Sequence, residues 1–291
     1  MERAKKLVHA KEVYRKGYTG KGIRIALIDT GVFLHQEIEK NVIFFKDFTQ
    51  NIKTPYDDNG HGTHIAGILS ANGNHNKANV SGMAPEAEIL VFKVLDKKGN
   101  GSAEKVIQAL QWILDHHKEW NIKLLNFSMG FLPNTNPLMQ NKLIDILETL
   151  WDEGVTIVTA AGNNGPEENS ITVPGVSRKV ITVGSFDDIS NIKNHYGGRG
   201  PTSCCIVKPE ILAPGTEILS LSNKSGGYEK KSGTSMSVPI VCGALALLLE
   251  KNPILKPVEI KLLLYDTVDR KNTENRNVWG ILNVDNLIKM L

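Results

Sequence analysis

The fold is decided by one stretch near the start of the chain, Ile23-Arg24-Ile25-Ala26-Leu27-Ile28-Asp29-Thr30-Gly31. Its first six residues form a nearly continuous apolar run, which is typical of a strand that is buried on both faces. Asp29 ends this run, and Gly31 favours a turn directly after it. Such a strand belongs in a parallel sheet covered by helices, and functional residues of such sheets follow the carboxyl ends of the strands.

Strands and helices alternate along the rest of the chain. Further buried strands are predicted at 89–95, 124–129, 155–160 and 180–183. Two helices with apolar faces lie between them, the first carrying Val106, Leu110, Ile113, Leu114 and His117, the second Leu143, Ile146, Leu147 and Leu150. Ser102 is a suitable N-cap for the first helix, and Gly154 is placed to end the second. The pattern predicts an α/β fold, a single-domain parallel sheet with helices on both faces, over residues 1–291, with 1–16 as an N-terminal extension.

Composition excludes several classes of partner. The chain has 34 lysines and arginines against 31 aspartates and glutamates, and the resulting formal charge of +3 is too small to indicate nucleic-acid or membrane binding. Hydrophobic residues are 41% and charged residues 22% of the chain, which is typical of globular proteins. The longest apolar run, at 242–249, is shorter than the roughly 18 residues that a membrane span needs.

The cysteines and the N-terminus indicate the cellular compartment in which the protein works. Two of the three cysteines, Cys204 and Cys205, are adjacent, and a disulfide between neighbours is strained, so a secreted disulfide framework is excluded. The first six residues are charged and no apolar segment follows them, so no signal peptide is expected. We therefore expect a cytoplasmic protein, with secretion as the alternative if a leader was removed from this chain.

Three short segments carry residues that are capable of chemistry: Asp29-Thr30-Gly31, the segment from Asp58 to His64, and the segment from Ser232 to Pro239. Each has an ordinary structural interpretation, as a turn, a helix-capping loop with structural histidines, or a serine-rich N-cap. Asp-Thr-Gly also occurs in aspartic proteases, which would require a homodimer here because this chain has one such loop. His61 and His64 could hold a metal, but the glutamate of the zinc motif is missing.

Taken together, the three segments favour nucleophilic acyl transfer. A serine attacks, a histidine takes its proton, and an aspartate orients the imidazole and stabilises its charged form. The chain order is Asp29, His61, Ser235, which differs from the order in α/β-hydrolases and from that in chymotrypsin.

The segments resemble the signature motifs of the subtilisin-like serine proteases, in particular the intracellular or pro-region-less bacterial members. The resemblance extends from about Gly17 to the C-terminus. It implies a subtilisin-like fold, a triad of Asp29, His61 and Ser235, and a buried structural role for His64.

The same resemblance implies a substrate cleft. Ala160-Ala161-Gly162-Asn163 is similar to the oxyanion segment of the family, which implies that Asn163 and the Ser235 backbone N–H bind the oxyanion. The edges that pair with an extended substrate would carry Asn100 and Gly101 on one side and Ser128, Met129 and Gly130 on the other. Thr172 would narrow the floor of the pocket for the P1 side chain, and Glu167 and Glu168 in the same loop either favour a basic P1 residue or are solvated.

A calcium site is the one cofactor question that the resemblance raises. Glu37 occupies roughly the acidic position of the family's calcium site, and the loop at 72–79 is rich in asparagine and contains Lys77. Calcium prefers six to eight oxygen ligands, with carboxylates setting the affinity. We expect that no cofactor is required and that calcium, if bound, is weak and structural only.

The sequence therefore predicts a serine endopeptidase with polypeptide substrates. General protein turnover competes with a dedicated maturation protease that trims the leader of one precursor peptide. A catalytically dead relative that binds peptides would lack a triad or oxyanion residue, yet all four are present. An esterase would use the same chemistry without needing paired edges for a substrate strand.

Overall fold

The computed structural model describes residues 1–74, 80–131, 136–186, 196–202, 206–224, 226–271, 273 and 277–291. The strands are β1 Arg24–Asp29, β2 Val42–Asp47, β3 Glu88–Lys93, β4 Ile122–Phe127, β5 Thr156–Ala160, β6 Ile181–Phe186, β7 Ile211–Pro214, β8 Ile218–Leu221, β9 Tyr228–Lys231 and β10 Gly280–Ile281. The helices are α1 Glu2–Leu7, α2 Lys11–Arg15, α3 His61–Ser70, α4 Ala103–His116, α5 Pro137–Asp152, α6 Thr234–Lys251, α7 Pro257–Thr267 and α8 Val284–Lys289.

Within the described ranges, eight strands form one parallel sheet in the order β10-β7-β6-β5-β4-β1-β3-β2. The chain runs from β1 to the β2 edge, returns through β3, and then crosses to β4 on the other side of β1. Strand order therefore reverses at β1, which is where open parallel sheets place their sites. β8 and β9 form a separate antiparallel hairpin.

Helix α3 packs on α6 and α4 packs on α5, and both pairs contact the sheet, while α8 packs on α2, α6 and α7. The five strands that the sequence predicts are confirmed, with shifted ends, as β1, β3, β4, β5 and β6. Ser102 caps α4 by accepting a hydrogen bond from the Lys105 N–H, and Gly154 follows α5 with φ +98°. The α/β parallel sheet expected from the sequence is confirmed.

One described helix, α6, meets the length and composition of a membrane span, with a mean hydropathy of 1.4 over 18 residues. It is longer than the apolar run that the sequence analysis singled out, because small and polar residues extend it at its start. However, 83% of it is buried inside the protein, as expected for the central helix of a core. It carries Cys242 as a buried free thiol, whereas Cys204 and Cys205 lie outside the described residues.

The segment at 1–16, expected as an extension, is packed onto the body of the protein. It forms α1 and α2, and Ala4, Val8 and Val13 are buried in the same hydrophobic core as the sheet. The Tyr14 hydroxyl donates to the Met83 carbonyl at 2.8 Å. We therefore expect these residues to contribute to the stability of the whole domain.

Candidate active site

Asp29 lies at the carboxyl end of the central strand β1 and is fully buried. One of its oxygens, Oδ1, accepts a hydrogen bond from the Thr30 N–H at 2.7 Å. Strands β4 and β3 flank β1 on its two sides, so the loops after all three strands meet around this carboxylate.

His61 is the first residue of α3, and its imidazole faces Asp29. Its Nδ1 lies 2.7 Å from Asp29 Oδ1 and 2.9 Å from Asp29 Oδ2, so Nδ1 carries the proton and donates it to the carboxylate. Burial alone would lower the pKa of His61, but the charge of Asp29 and this hydrogen bond outweigh burial, and the pKa is raised. The side chain is 26% exposed, and Nε2 has no hydrogen-bond partner among the described residues, which leaves it available to a substrate or to Ser235.

The loop before α3 is held by Asp57, a residue that the sequence analysis did not single out. Its carboxylate accepts hydrogen bonds from the Gly60 N–H at 2.8 Å and from the N–H and hydroxyl of Thr63 at 2.9 and 2.6 Å. Burial would raise the pKa of Asp57, but these hydrogen bonds lower it. The available signal was an aspartate just before a glycine-rich helix start, a residue type that favours capping.

Two glycines allow the Asp29 turn and the His61 loop to touch. A Cβ on Gly31, whose φ is +111°, would lie 2.1 Å from the Tyr56 carbonyl oxygen, and a Cβ on Gly62 would lie 2.1 Å from the Gly31 carbonyl oxygen. No other residue fits at either position without moving backbone. The glycines of both motifs are thus required by packing.

His64 is buried on α3 and joins that helix to the β8–β9 hairpin. Its Nε2 lies 3.1 Å from the Ile218 carbonyl oxygen and 3.2 Å from that of Glu229. Burial lowers the pKa of His64 to about 3, so the ring is neutral and donates its Nε2 proton to these carbonyls. This nitrogen is therefore unavailable to a metal, in agreement with the structural role that the sequence resemblance implied.

Ser235 is the second residue of α6, where backbone N–H groups have no partner inside the helix. Its Oγ donates to the Ser128 carbonyl at 2.9 Å, and no hydrogen bond joins Oγ to His61 among the described residues. The Ser235 N–H likewise bonds no described residue. The Ser235 amide is therefore an unpaired donor among the described residues, and Ser235 is half-buried.

Asn163 follows β5 and is exposed beside the start of α6. Its Oδ1 accepts hydrogen bonds from the Thr234 N–H and the Thr234 hydroxyl, each at 3.1 Å. These bonds fix the orientation of the amide, because the oxygen is committed to Thr234 and Nδ2 remains a free donor. Asn163 Nδ2 and the Ser235 N–H are thus two unpaired donors next to Thr234 in the described part of the chain.

The predicted substrate edges follow β3 and β4, the two neighbours of β1. Asn100 and Gly101 are exposed after β3, and Asn100 is held in a turn by hydrogen bonds with Asp96. Ser128 is buried after β4, Met129 is half-buried and Gly130 is exposed. The structure therefore brings the two edges to opposite sides of the Asp29–His61 pair.

Thr172 lies between the two walls of the predicted P1 pocket. A Cβ on Gly130 would lie 2.1 Å from Thr172 Oγ1, and a Cβ on Gly162 would lie 2.6 Å from Thr172 Cγ2. Thr172 is 4% exposed, and its Oγ1 has no hydrogen-bond partner in the described part of the chain. Glu167 and Glu168, in the same loop, are exposed to solvent.

Glu37 is buried and already serves as a hydrogen-bond acceptor. Its Oε2 accepts from the Asn74 N–H at 3.1 Å, and its Oε1 accepts from the Tyr228 hydroxyl at 3.3 Å. No group of three or more histidine, cysteine, aspartate or glutamate side chains suited to a metal occurs in the described ranges. Residues 75–79 of the predicted calcium loop, with Lys77, lie outside those ranges. The described residues around Glu37 therefore offer calcium one carboxylate, whose oxygens already accept hydrogen bonds. This donor set fits calcium poorly.

Comparisons with known proteins agree with this arrangement. A model of the subtilase family (Peptidase_S8) matches residues 20–280. Serine protease AprX of Bacillus subtilis (strain 168) is 36% identical over 305 residues, covering 96% of this chain and 69% of that protein. Subtilisin Savinase of Lederbergia lenta is 31% identical, covering 96% of this chain and 95% of that protein. The solved structure of sphericase superposes with a TM-score of 0.76 at 30% identity, covering 86% of this chain and 84% of that one.

The match spans most of the chain and includes all three of the motifs that surround the cleft. The two relatives in sequence are a serine protease and a subtilisin, and sphericase shares the fold. The chain belongs to the subtilase family and is a serine endopeptidase that acts on polypeptides.

Proposed function

We propose that Ser235 is the nucleophile of this endopeptidase, His61 its general base and Asp29 the group that orients His61. The observation that carries the proposal is the contact of His61 Nδ1 with both oxygens of the buried Asp29, at 2.7 and 2.9 Å. This contact keeps the proton on Nδ1, so that the lone pair of Nε2 faces the cleft.

The first step transfers a proton from Ser235 Oγ to His61 Nε2 as Oγ attacks the substrate carbonyl carbon. In the resting structure Oγ donates to the Ser128 carbonyl, so it turns towards His61 when substrate arrives. Catalytic hydrogen bonds of free enzymes often form only in the complex. Asp29 stabilises the imidazolium that results.

The oxyanion of the tetrahedral intermediate accepts hydrogen bonds from the Ser235 N–H and Asn163 Nδ2. Both donors are free in the resting protein, and Thr234 holds the Asn163 amide through its oxygen. The intermediate collapses as protonated His61 gives its proton to the leaving amine, which leaves an acyl-enzyme on Ser235. Water, activated by the same histidine, then releases the acid.

The substrate backbone is held as an added strand between the Asn100–Gly101 edge and the Ser128–Gly130 edge. A cavity of about 230 Å³ adjoins Gly101 of the first edge and Phe131, directly after the second, and its apolar lining includes Met139, Leu143 and Val173. Glu104, Asn136 and Gln140 also line it. We infer that it takes an apolar side chain of the substrate, while Thr172 limits P1 to small or medium side chains.

Broad cleavage of polypeptides is the substrate range that the cleft supports best, with trimming of one precursor peptide as the alternative. The exposure of Asn100, Gly101 and Gly130 leaves the edges open to many sequences. Digestion of a mixed peptide library, with cleavage sites determined by mass spectrometry, separates the two. Cleavage of many sequences that share only the P1 residue and one apolar residue supports broad cleavage of polypeptides. Cleavage of a single sequence supports the trimming of one precursor peptide.

We place the working compartment in the cytoplasm. The support is that the cysteines offer no disulfide framework, since Cys204 and Cys205 are adjacent in sequence and Cys242 is a buried free thiol. Fractionation of cells that produce the protein tests this, and recovery of the protease in the medium would contradict it.

Covalent labelling tests the nucleophile. A sulfonyl fluoride should modify Ser235, and Ser235→Ala should abolish labelling while the fold is retained. Ser235→Ala and His61→Ala should each lower kcat by about 10⁶-fold, because the nucleophile and base act as a unit. Ser232→Ala, three residues before the nucleophile on an exposed site, is the matched control and should keep wild-type turnover. Wild-type activity in Ser235→Ala would refute the assignment.

A further inference from the structure

A buried lysine lies directly beside Asp29. Lys93 ends strand β3 and is 0% exposed, and the register of the parallel pair places it opposite Asp29 on β1. A charged side chain at the end of an otherwise apolar buried strand is unusual, because removing an ammonium group from water is unfavourable unless it is fully paired.

All three protons of this ammonium have acceptors. Lys93 Nζ donates to the Thr30 carbonyl at 2.5 Å, to Asp58 Oδ1 at 2.7 Å and to the Leu95 carbonyl at 2.9 Å. It also lies 4.8 Å from the centre of the Tyr56 ring, within the range of a cation–π contact. The side chain therefore has one position, set by contacts on several sides.

These contacts join the two segments that carry the proposed Asp29–His61 pair. Thr30 directly follows Asp29, and Asp58 lies three residues before His61. A second bridge runs parallel to the first, because the Thr30 hydroxyl donates to Asp57 Oδ1 and accepts from the Gly62 N–H, both at 2.9 Å. The turn after β1 and the loop before α3 are thus connected twice, once through Lys93 and once through the Thr30 hydroxyl.

Stability alone is a weak reason for such an ion pair. The desolvation of a buried salt bridge largely offsets its attraction, and apolar replacements of similar volume are often as stable. Positional accuracy is a stronger reason, because a misplacement of about 1 Å in a catalytic group can lower a rate by about 10²-fold.

We propose that Lys93, paired with Asp58, is a positioning residue for catalysis, which fixes the Asp29 turn and the His61 loop at the separation that their hydrogen bond requires. The inference rests on the proposed triad. It assigns Lys93 no contact with substrate and no part in proton transfer.

Three variants and one control test the proposal. Lys93→Met and Asp58→Leu break the bridge and should each lower kcat by about 10–100-fold, with KM within about twofold. Asp58→Asn keeps an oxygen that accepts the Nζ bond, so its kcat should stay within about threefold of wild type. Lys46→Met on β2 is the matched control, because it removes a lysine one strand farther from Asp29 and should leave kcat unchanged.

The acid limb of kcat/KM provides a readout that a purely structural role would not change. Among the described residues, the charged and titratable groups that act on His61 are Asp29, Asp57, His64 and Lys231, and Asp58, three residues before His61, is paired with Lys93. If the bridge positions the pair, Lys93→Met and Asp58→Leu should both weaken the Asp29–His61 contact that raises the His61 pKa, so both should move the limb to lower pH. A direct effect of the two opposite charges would instead move the limb in opposite directions.

The rate at which a sulfonyl fluoride labels Ser235 separates this inference from the proposed triad. Failure of wild type to be labelled, or full activity in His61→Ala, would remove the triad itself. Wild-type labelling rates and an unmoved acid limb in folded Asp58→Leu would overturn the role of the Lys93 bridge alone. Should Lys93→Met fail to fold, Asp58→Leu still decides, because Asp58 is 33% exposed and tolerates substitution more readily.

Discussion

The two halves of the active site differ in how firmly the resting protein holds them. Asp29 and His61 are already in contact and are surrounded by buried hydrogen bonds from Thr30, Asp57 and the His61 loop. Ser235, in contrast, donates its hydroxyl to the Ser128 carbonyl, and Asn163 is exposed. The proposed base is thus preorganised before substrate arrives, whereas the proposed nucleophile has to exchange one hydrogen bond for another.

This difference follows from where each half lies in the fold. The base half sits between the ends of adjacent strands, where burial makes an unpaired polar group unfavourable and forces every donor to find an acceptor. The nucleophile half sits at the start of a helix, where N–H groups are free by construction. An oxyanion requires free donors at that position. The groups that have no partner in the nucleophile half are therefore those proposed to bind the substrate.

After the loss of Ser235 itself, the largest expected effect within the nucleophile half comes from Asn163. Asn163→Ala should lower kcat by about 10²–10³-fold with KM little changed, because the amide binds the oxyanion more strongly than the ground-state carbonyl. Asn164→Ala, an exposed neighbour, is the control and should keep wild-type kcat. Steady-state kinetics on one peptide substrate measures both, and a loss confined to KM would show that the oxyanion donor lies elsewhere.

The pH profile examines the base half. Only neutral His61 accepts the Ser235 proton, so kcat/KM should fall about tenfold per pH unit below the pKa of His61 in the free enzyme. Asp29 raises that pKa, so the acid limb should lie above the ordinary histidine range. Lys231 opposes this shift, and Lys231→Met should move the limb to still higher pH, whereas Lys230→Met, which loses an exposed pair with Glu217, should not. A profile that is flat from pH 5 to 8 would contradict the assignment of His61.

A smaller effect is expected at the floor of the P1 pocket. Thr172→Ala should raise kcat/KM for substrates with leucine or phenylalanine at P1 by about tenfold, because a methyl-sized change in a pocket is worth about 1–3 kcal/mol. Thr172→Val keeps the volume and removes only the hydroxyl, so it should not admit the larger side chains. Equal P1 preferences in all three proteins would place the floor of the pocket at another residue.

The smallest effect is expected from removal of calcium. Glu37 is the one carboxylate of the described candidate site, and both of its oxygens already accept hydrogen bonds. EDTA should therefore lower the melting temperature by a few degrees at most and leave the initial rate at 25 °C nearly unchanged. Immediate loss of activity on chelation, restored by calcium, would indicate a tight site in this region.

The central strands and the triad candidates could be predicted from the sequence, because local signals coincided there. The strand ending at Asp29 is apolar from Ile25 to Ile28, and glycines occur in the turns that follow it. The edge strand β2 was missed, since its place depends on a contact distant in sequence, the stacking of Phe44 on Trp112 with ring centres 4.8 Å apart. The position of the β8–β9 hairpin also depends on contacts distant in sequence, because carbonyls of both its strands bind the His64 ring.

The supporting network of the site was less accessible to sequence reasoning than the triad candidates. Lys93 is the one charged residue inside the strand predicted at 89–95, and its role depends on the register that places it opposite Asp29, which the sequence does not show. Asp57 lies one residue before the motif that the sequence analysis quoted. The bonds of Ser235 and Asn163 are also invisible in the sequence, because they join residues 107 and 71 positions apart.

Ser235 stands at the start of α6, which contacts strands β4 to β7 and helix α3. The amide hydrogens in the buried body of such a helix exchange with solvent mainly through global unfolding, because no smaller opening exposes them. The nucleophile is thereby attached to the part of the molecule that opens last. On heating, the fraction of Ser235 that reacts with a sulfonyl fluoride should decay with the half-life of the whole native fold. The loss of labelling then measures the rate of global unfolding.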